Sequence, residues 1–292
     1  MHSKHIDGKA IAAEVRQEVA DAVAGLPDSA PRPGLSVILV GDDPASEVYV
    51  RNKGKACEKA GFRSETITHP ADLSEADLLA EVARLNADPT CNGILVQLPL
   101  PGHIDPQKVI EAIDPIKDVD CFHPFNVGRL AIGMSVFDPC TPAGIVELLK
   151  RSGISVKGKH VVVVGRSNIV GKPMANLLVQ KQPDANAIVT VVHSAAPDVG
   201  YYTRQADVLV VAIGRPEYIT GDMVKEGVVV IDVGMNRVDA DTPRGYRLTG
   251  DVAYDEVLPL CSRITPVPGG VGPMTIAMLL KNTLTAYRLQ TA

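Results

Sequence analysis

Apolar residues recur every fourth position near the start of the chain, at Ile11, Val15, Val19 and Val23. That spacing predicts an amphipathic helix over residues 8–25. After a proline-rich break, the nearly continuous apolar run LSVILV predicts a buried strand at 35–40. The alternation continues with a helix over about 46–60 stopped by Gly61, a short strand at 64–68, a helix behind Ser74 as N-cap, and the strand GILVQLPLP at 93–101. Helix and strand in turn imply a largely parallel sheet.

Residues 101–140, rich in proline and aspartate, fit no single element. A second α/β block then opens with Thr141 as N-cap and Pro142 at the first helical position. It runs through a strand at 160–165, a helix at 171–181, and strands at 188–193, 207–213 and 227–233. The loop PVPGGVGP leads into a last helix at 274–290. No repeat and no low-complexity tract interrupts this order.

A length of 292 residues suggests two domains, and 46% hydrophobic with 22% charged residues is an ordinary globular balance. A net charge of −5 without a basic patch speaks against nucleic acid, and the absence of tryptophan speaks against base stacking. The five cysteines (Cys57, Cys91, Cys121, Cys140, Cys261) form no C-x-x-C pair. Free thiols in a reducing cytoplasm are expected, and no metal site. Neither a signal peptide nor an 18-residue apolar run is present, so no membrane association is expected.

The stretch HVVVVGRSNIVGKPM (160–174) carries the first chemistry. Four valines run into Gly165, and Gly171 and Pro173 open the following helix. Gly165 permits a tight turn, Gly171 a close backbone approach, and the helix N-terminus offers free N–H groups to a phosphate. Ser167 stands where a G-x-G-x-x-G turn has its second glycine, so the turn alone equally describes a strand–helix connection without ligand. The next strand ends in His193 and Ser194 rather than an acid, and Arg166 lies in the turn. A cation and neutral donors favour the 2′-phosphate of NADP over the bare ribose of NAD.

Tyr49 and Lys53 share a helix face at i, i+4. On spacing alone they read more readily as a surface helix with a snorkelling lysine. Three stretches shift that balance. Gln97 sits at the C-terminal end of a strand, KDVDCF puts Asp118 and Asp120 in an irregular loop, and Pro268, Gly269 and Gly270 crowd the loop before the last helix.

Taken together, YVRNKGKA (49–56), GILVQLPLP (93–101), KDVD (117–120), GRSNIVGKP (165–173) and PVPGGVGPMT (266–275) resemble the bifunctional methylenetetrahydrofolate dehydrogenase/methenyltetrahydrofolate cyclohydrolase family, in order and over nearly the whole chain. The resemblance implies two α/β domains with a cleft between them. These are a discontinuous folate-binding catalytic domain (1–140 plus 274–292) and a Rossmann-like NADP-binding domain (141–273). It implies Lys53 as the catalytic lysine, Gln97 as its orienting partner, Tyr49 as a stacking residue and Asp120 as the pterin carboxylate, with Pro268, Gly269 and Gly270 beside the folate. It implies that Gly165, Arg166, Ser167, Gly171, Pro173, His193, Ser194 and Gly214 meet NADP. It further implies a cytoplasmic homodimer that oxidises 5,10-methylenetetrahydrofolate with NADP⁺ and hydrolyses the product to 10-formyltetrahydrofolate, as one-carbon supply for purine synthesis.

Two positions depart from the family pattern. Cys121 replaces the usual glycine after DVD, and a left-handed backbone there would strain it. Ala195 replaces a basic residue found in many members. Competing readings are a family dehydrogenase without hydrolysis, against which Lys53 and Gln97 argue, and a non-catalytic dinucleotide-binding regulator.

Overall fold

The computed structural model describes residues 4–242 and 245–292. The chain forms two compact units: Ala13–Cys140 with Ile276–Ala292, here the first unit, and Thr141–Thr275 with Met1–Ala12, the second.

Helix α1 (Gly8–Ala24) precedes β1 (Gly34–Val40), α2 (Pro44–Lys59), β2 (Arg63–His69), α3 (Glu75–Ala87) and β3 (Gly93–Val96). The strands form a parallel sheet in the order β2–β1–β3. Central β1 is buried at every position, whereas edge strand β2 alternates between partly buried and exposed residues. Ile38, Val40, Ile94 and Val96 pack against Leu78, Val82 and Leu85 of α3. Two short helices follow, α4 (Pro106–Ala112) and α5 (Pro124–Ala131).

The second unit contains most of α6 (Cys140–Arg151), then β4 (His160–Val164), α7 (Gly171–Leu178), β5 (Ile188–Val192), α8 (Val199–Thr203), β6 (Val208–Val211), β7 (Val229–Asp232), the antiparallel hairpin β8 (Asn236–Asp239) and β9 (Tyr246–Thr249), α9 (Tyr254–Val257) and β10 (Arg263–Ile264). Its five-stranded sheet has the order β10–β7–β6–β4–β5, with every pair parallel. The chain leaves β4 toward β5 on one side and returns to β6 on the other. The C-terminal ends of β4 and β6 therefore flank a topological switch point, where open α/β sheets place ligands. Helix α10 (Gly272–Thr291) starts in the second unit and runs mostly in the first. There Asn282 donates to the carbonyls of Val119 (2.8 Å) and Asp138 (2.9 Å).

Four details differ from the pattern expected of the sequence. Residues 4–12, expected with the first domain, lie with the second unit. The Ile6 N–H donates to Ile264 O (2.9 Å) and the Ile264 N–H to Lys4 O (2.8 Å), extending the sheet beyond β10. The strand at 93–101 ends at Val96, because Pro99 and Pro101 have no N–H for a ladder. The irregular stretch 101–140 contains α4 and α5. Each has proline at its start and a side-chain cap: Asp105 accepts the Gln107 N–H (2.9 Å), and His123 Nδ1 accepts the Phe125 N–H (3.0 Å). Helix α6 begins at Cys140, inside which Thr141 bonds Thr275 Oγ1 (2.9 Å) instead of capping.

Candidate functional site

In the first unit the residues group around α2 and the end of β3. Asp43 caps α2 by accepting the Ser46 N–H (2.8 Å), which sets the start of the helix carrying Tyr49 and Lys53. Tyr49 is 38% exposed while Lys53 is 8% exposed, so the pair presents a ring to solvent and a lysine to the interior. Partial burial raises the Tyr49 hydroxyl above its ordinary pKa, keeping it neutral. Lys53 Nζ donates to Gln97 Oε1 (3.0 Å). Gln97 is fixed twice: its backbone N–H donates to Ile38 O (2.8 Å), and its Nε2 donates to Leu98 O (2.7 Å). With Nε2 committed to Leu98, the amide oxygen faces the lysine. Lys53 forms no ion pair among the described residues. A neutral acceptor therefore orders the ammonium without a carboxylate to hold its charge.

The KDVD loop divides its labour. Lys117 Nζ donates to the carbonyls of Leu85 (3.0 Å), Asn86 (2.8 Å) and Asp88 (2.8 Å), closing the C-terminus of α3 where a cation suits the helix dipole. Asp118, 2% exposed, accepts the N–H groups of Phe122 (3.2 Å) and His123 (2.9 Å) and Asn126 Nδ2 (2.8 Å). Burial raises its carboxyl pKa against the pull of those donors. Asp120 is the loop's half-buried carboxylate. Cys121 has φ = 63°, a fully buried side chain, and a thiol donating to Phe137 O (3.2 Å). The left-handed backbone considered for this position is present, and a cysteine adopts it.

Cys140 connects the cluster and was not singled out from the sequence. Its buried thiol donates to Val119 O (3.4 Å), and its pKa is pushed well above the usual range by burial and by Asp120, while Lys53 acts on it in the opposite sense. Asp120 and Lys53 thus both lie near Cys140. The available signal was a cysteine placed directly ahead of the Thr141–Pro142 helix start.

In the second unit the turn after β4 is shaped by missing side chains. Gly165 has φ = 127°, and a Cβ there would stand 2.2 Å from Ala212 O, beyond β6. A Cβ on Gly171 would stand 2.2 Å from Gly165 O. These glycines let strand, turn and helix close on one another. Ser167 Oγ accepts the Val170 N–H (3.0 Å) and more weakly the Gly171 N–H (3.4 Å), so the residue in place of the second glycine ties the turn to the start of α7, whose N-cap position is Val170. Pro173 is buried within α7. Arg166 and Ser194 are exposed, one residue past Gly165 and His193, and the Gly165 N–H donates to Val192 O (2.8 Å). Both side chains thus leave neighbouring strands at one sheet edge. His193 Nδ1 accepts the Ala195 N–H (3.2 Å), which turns the chain there. Gly214 (φ = 70°) lies past β6 at the same edge. This glycine cradle with a basic and a hydroxyl side chain on its rim fits a dinucleotide phosphate.

The 266–272 loop packs on the start of α1. A Cβ on Gly8 would stand 1.8 Å from Gly270 O, and Gly269 has φ = 108°. The Leu98–Pro99 and Val267–Pro268 bonds are cis. Among the described residues no cluster of His, Cys, Asp or Glu could hold a metal ion.

Comparison with known proteins agrees across the chain. Residues 6–120 match the catalytic domain of tetrahydrofolate dehydrogenase/cyclohydrolase, and residues 139–291 match its NAD(P)-binding domain. The chain is 56% identical to bifunctional protein FolD 1 of Myxococcus xanthus, covering 98% of each. It resembles the crystal structure of the bifunctional FolD enzyme from Campylobacter jejuni at 47% identity and a TM-score of 0.92, covering 97% of this chain and 98% of that one. The Trypanosoma brucei dehydrogenase–cyclohydrolase, solved with NADP and an inhibitor, matches at 44% identity and a TM-score of 0.93, covering 98% of each. With both domains matched and full-length relatives above half identity, this chain belongs to the tetrahydrofolate dehydrogenase/cyclohydrolase family.

Proposed function

We propose that this chain divides the family's two reactions between a proton-handling cluster built on Lys53 and a dinucleotide turn built on Gly165. It oxidises 5,10-methylenetetrahydrofolate to 5,10-methenyltetrahydrofolate with NADP⁺, then hydrolyses the product to 10-formyltetrahydrofolate. The single observation that supports the assignment best is the 3.0 Å bond from Lys53 to Gln97, on a lysine without an ion pair among the described residues.

The oxidation moves a hydride from the one-carbon bridge to the nicotinamide, which is the chemistry NADP⁺ supplies. No proton moves at that carbon, so the residues' work is alignment. Gly165, Arg166, Ser167, Gly171, Pro173, His193, Ser194 and Gly214 hold the dinucleotide, with Arg166 and Ser194 on the 2′-phosphate. Tyr49 stacks on the folate ring, with Pro268, Gly269 and Gly270 beside it. Hydrolysis is different: water adds to the methenyl carbon and gives up one proton, then the bond from that carbon to N5 breaks as the new hydroxyl becomes the formyl C=O, with N5 taking one proton and the other leaving for solvent. Lys53, buried, bonded to a neutral amide and without an ion pair among the described residues, is the side chain placed to relay the proton that N5 takes. Gln97 keeps the amine aimed, and Lys53 carries the proton.

Asp120 accepts hydrogen bonds from the pterin amino and ring N–H groups, each worth about 1.5–3 kcal/mol. Asp120→Asn should raise the folate KM at least about tenfold, since one acceptor becomes a donor; an unchanged KM removes Asp120 from the site.

No helix among the described residues is long and apolar enough to cross a membrane. A cytoplasmic homodimer fits the reading. Edge strand β5 leaves Ile188 63% and Val191 41% exposed, an edge suited to pairing with a second copy. A monomer in sedimentation at micromolar concentration would refute the dimer.

The reaction assignment is tested by three assays of the purified chain: methylenetetrahydrofolate with NADP⁺, the same with NAD⁺, and methenyltetrahydrofolate alone. Rapid NADP⁺ reduction together with accelerated methenyl decay is expected. Reduction without accelerated decay would remove hydrolysis from the assignment.

A further inference from the structure

Two carboxylates outside the machinery described so far are buried side by side beneath the cofactor edge of the second sheet. Asp251 is 0% exposed and Asp232 is 2% exposed. Asp251 Oδ2 accepts the N–H groups of both Ile213 and Gly214 (2.8 Å each), and its Oδ1 accepts Asn236 Nδ2 (2.8 Å). Asp232 Oδ1 accepts the N–H groups of Gly234 (3.0 Å) and Asp251 (2.9 Å), and its Oδ2 accepts that of Val252 (3.1 Å). Two side chains thus gather the loops after β6, after β7 and after β9.

Two glycines let the backbone pass close to these carboxylates. A Cβ on Gly234 would stand 2.3 Å from Asp251 Oδ1, and one on Gly250 would stand 1.7 Å from Asp232 Oδ2. The loop held most directly, Ala212–Gly214, is the wall opposite Gly165 at the switch point, since Ala212 O is what a Gly165 side chain would strike. Buried charges without a cation are expensive and are kept only where their hydrogen bonds are complete. Here five backbone N–H groups and one amide complete them.

We infer that Asp251 is a positioning residue of the dinucleotide site: its carboxylate holds the Ile213 and Gly214 N–H groups and thereby fixes the wall of the crevice that receives NADP⁺. The inference rests on the proposed cofactor reading. What the wall requires of Asp251 is acceptor oxygens, not charge. An asparagine still offers one oxygen to Ile213 and Gly214, and its NH₂ can donate to Asn236 after that amide turns over. Alanine offers nothing and leaves two N–H groups unsatisfied.

The test compares wild type, Asp251→Asn and Asp251→Ala in full-length protein, with NADP⁺ binding by calorimetry and hydrolysis of methenyltetrahydrofolate, which consumes no NADP⁺. The expected result is an NADP⁺ Kd raised about tenfold or more in the alanine variant, matching the loss of two hydrogen bonds. The asparagine variant should stay within about threefold of wild type, and hydrolysis should fall far less than binding. If the alanine variant does not fold, Asp251→Ser, with one oxygen on a shorter arm, takes its place. Unchanged NADP⁺ binding in the alanine or serine variant overturns the inference. So does an asparagine variant as weak as alanine, or a parallel collapse of binding and hydrolysis. Wild type that binds no NADP⁺ fails at a distinct step, bringing down the cofactor reading itself.

Discussion

Gln97 and Gly165 occupy equivalent places, each one residue beyond a parallel strand, and they are held in opposite ways. Gln97 is fixed by what its side chain does: it donates to Leu98 O and accepts from Lys53. Gly165 is fixed by having no side chain, so that its backbone can pass Ala212 O. A cluster wired by side chains can lose its chemistry and keep its shape. A turn built on missing atoms loses its shape once an atom is added.

The largest expected effect tests the second half of that contrast. Gly165→Ala places a methyl 2.2 Å from a backbone oxygen at φ = 127°, where L residues are rarely found. A cost of about 3 kcal/mol or more is expected, because neither neighbour is a flexible side chain. It should appear as a lower midpoint in urea unfolding, together with lost NADP⁺ binding. A variant with wild-type midpoint and affinity would show that the close approach does not constrain the turn.

Lys53→Met tests the first half. The hydrolysis rate should fall by about 10²–10⁴-fold, the usual contribution of a positioned proton carrier. Hydride transfer at saturating substrate should fall much less, because no proton moves there. Urea midpoints should stay close to wild type, since methionine refills the lysine stem and Gln97 keeps its bond to Leu98. Hydrolysis near the wild-type rate would leave Lys53 without its proposed role.

Much of this arrangement was readable beforehand, and the unreadable part has physical causes. The period of four in α1, the apolar run of β1 and the valines of β4 announced their elements because burial on one or both faces imposes those patterns. Helices α4 and α5 carried legible caps, Asp105–Pro106 and His123–Pro124, but each is too short for a periodicity to emerge. Tyr49, Lys53 and Gln97 could be nominated from the chain order of motifs. Their geometry could not, because it depends on residues 44 positions apart meeting across β1 and β3. The Asp232–Asp251 pair was hidden for the same reason, since the two carboxylates meet only through loops of separate strands. Within KDVD the family resemblance separates Asp120 from Asp118, but composition and spacing do not; burial then distinguishes the loop's organiser, Asp118, from the half-buried Asp120.

Each unit also buries a carboxylate among N–H donors, Asp118 in the first and Asp232 in the second, and this gives a pH prediction of intermediate size. Burial, reinforced by the Asp251 charge, pushes the Asp232 carboxyl up to about 7, over the opposing backbone donors. A carboxyl whose pKa is raised on folding binds a proton in the native state that the unfolded chain has already released. Its stabilising contribution is therefore complete below about pH 4 and is lost as the pH rises toward 7. The slope in that window is at most about 1.4 kcal/mol per pH unit. Asp118 acts in the same direction. Urea unfolding between pH 5 and pH 8 should show stability declining from this source, and Asp232→Asn should flatten the decline. An identical pH profile in the variant would place the Asp232 titration elsewhere.

The smallest effect concerns Cys121, where the side-chain and backbone styles of the two units meet in one residue. Its thiol is buried and bonded to Phe137 O, yet its φ of 63° belongs to glycine. At an ordinary buried site glycine is less stable than alanine by roughly 1.5 kcal/mol, from one lost methyl contact and a more flexible unfolded chain. At Cys121 glycine also relieves a left-handed strain of about 1–2 kcal/mol, which alanine retains. The two sums nearly cancel, so Cys121→Gly and Cys121→Ala should unfold within about 1 kcal/mol of each other. Both should lie below wild type, having lost the sulfur and its hydrogen bond. Glycine falling the full ordinary interval below alanine would mean that this backbone holds no strain for a cysteine to bear, and that the side chain alone accounts for its place beside Asp120.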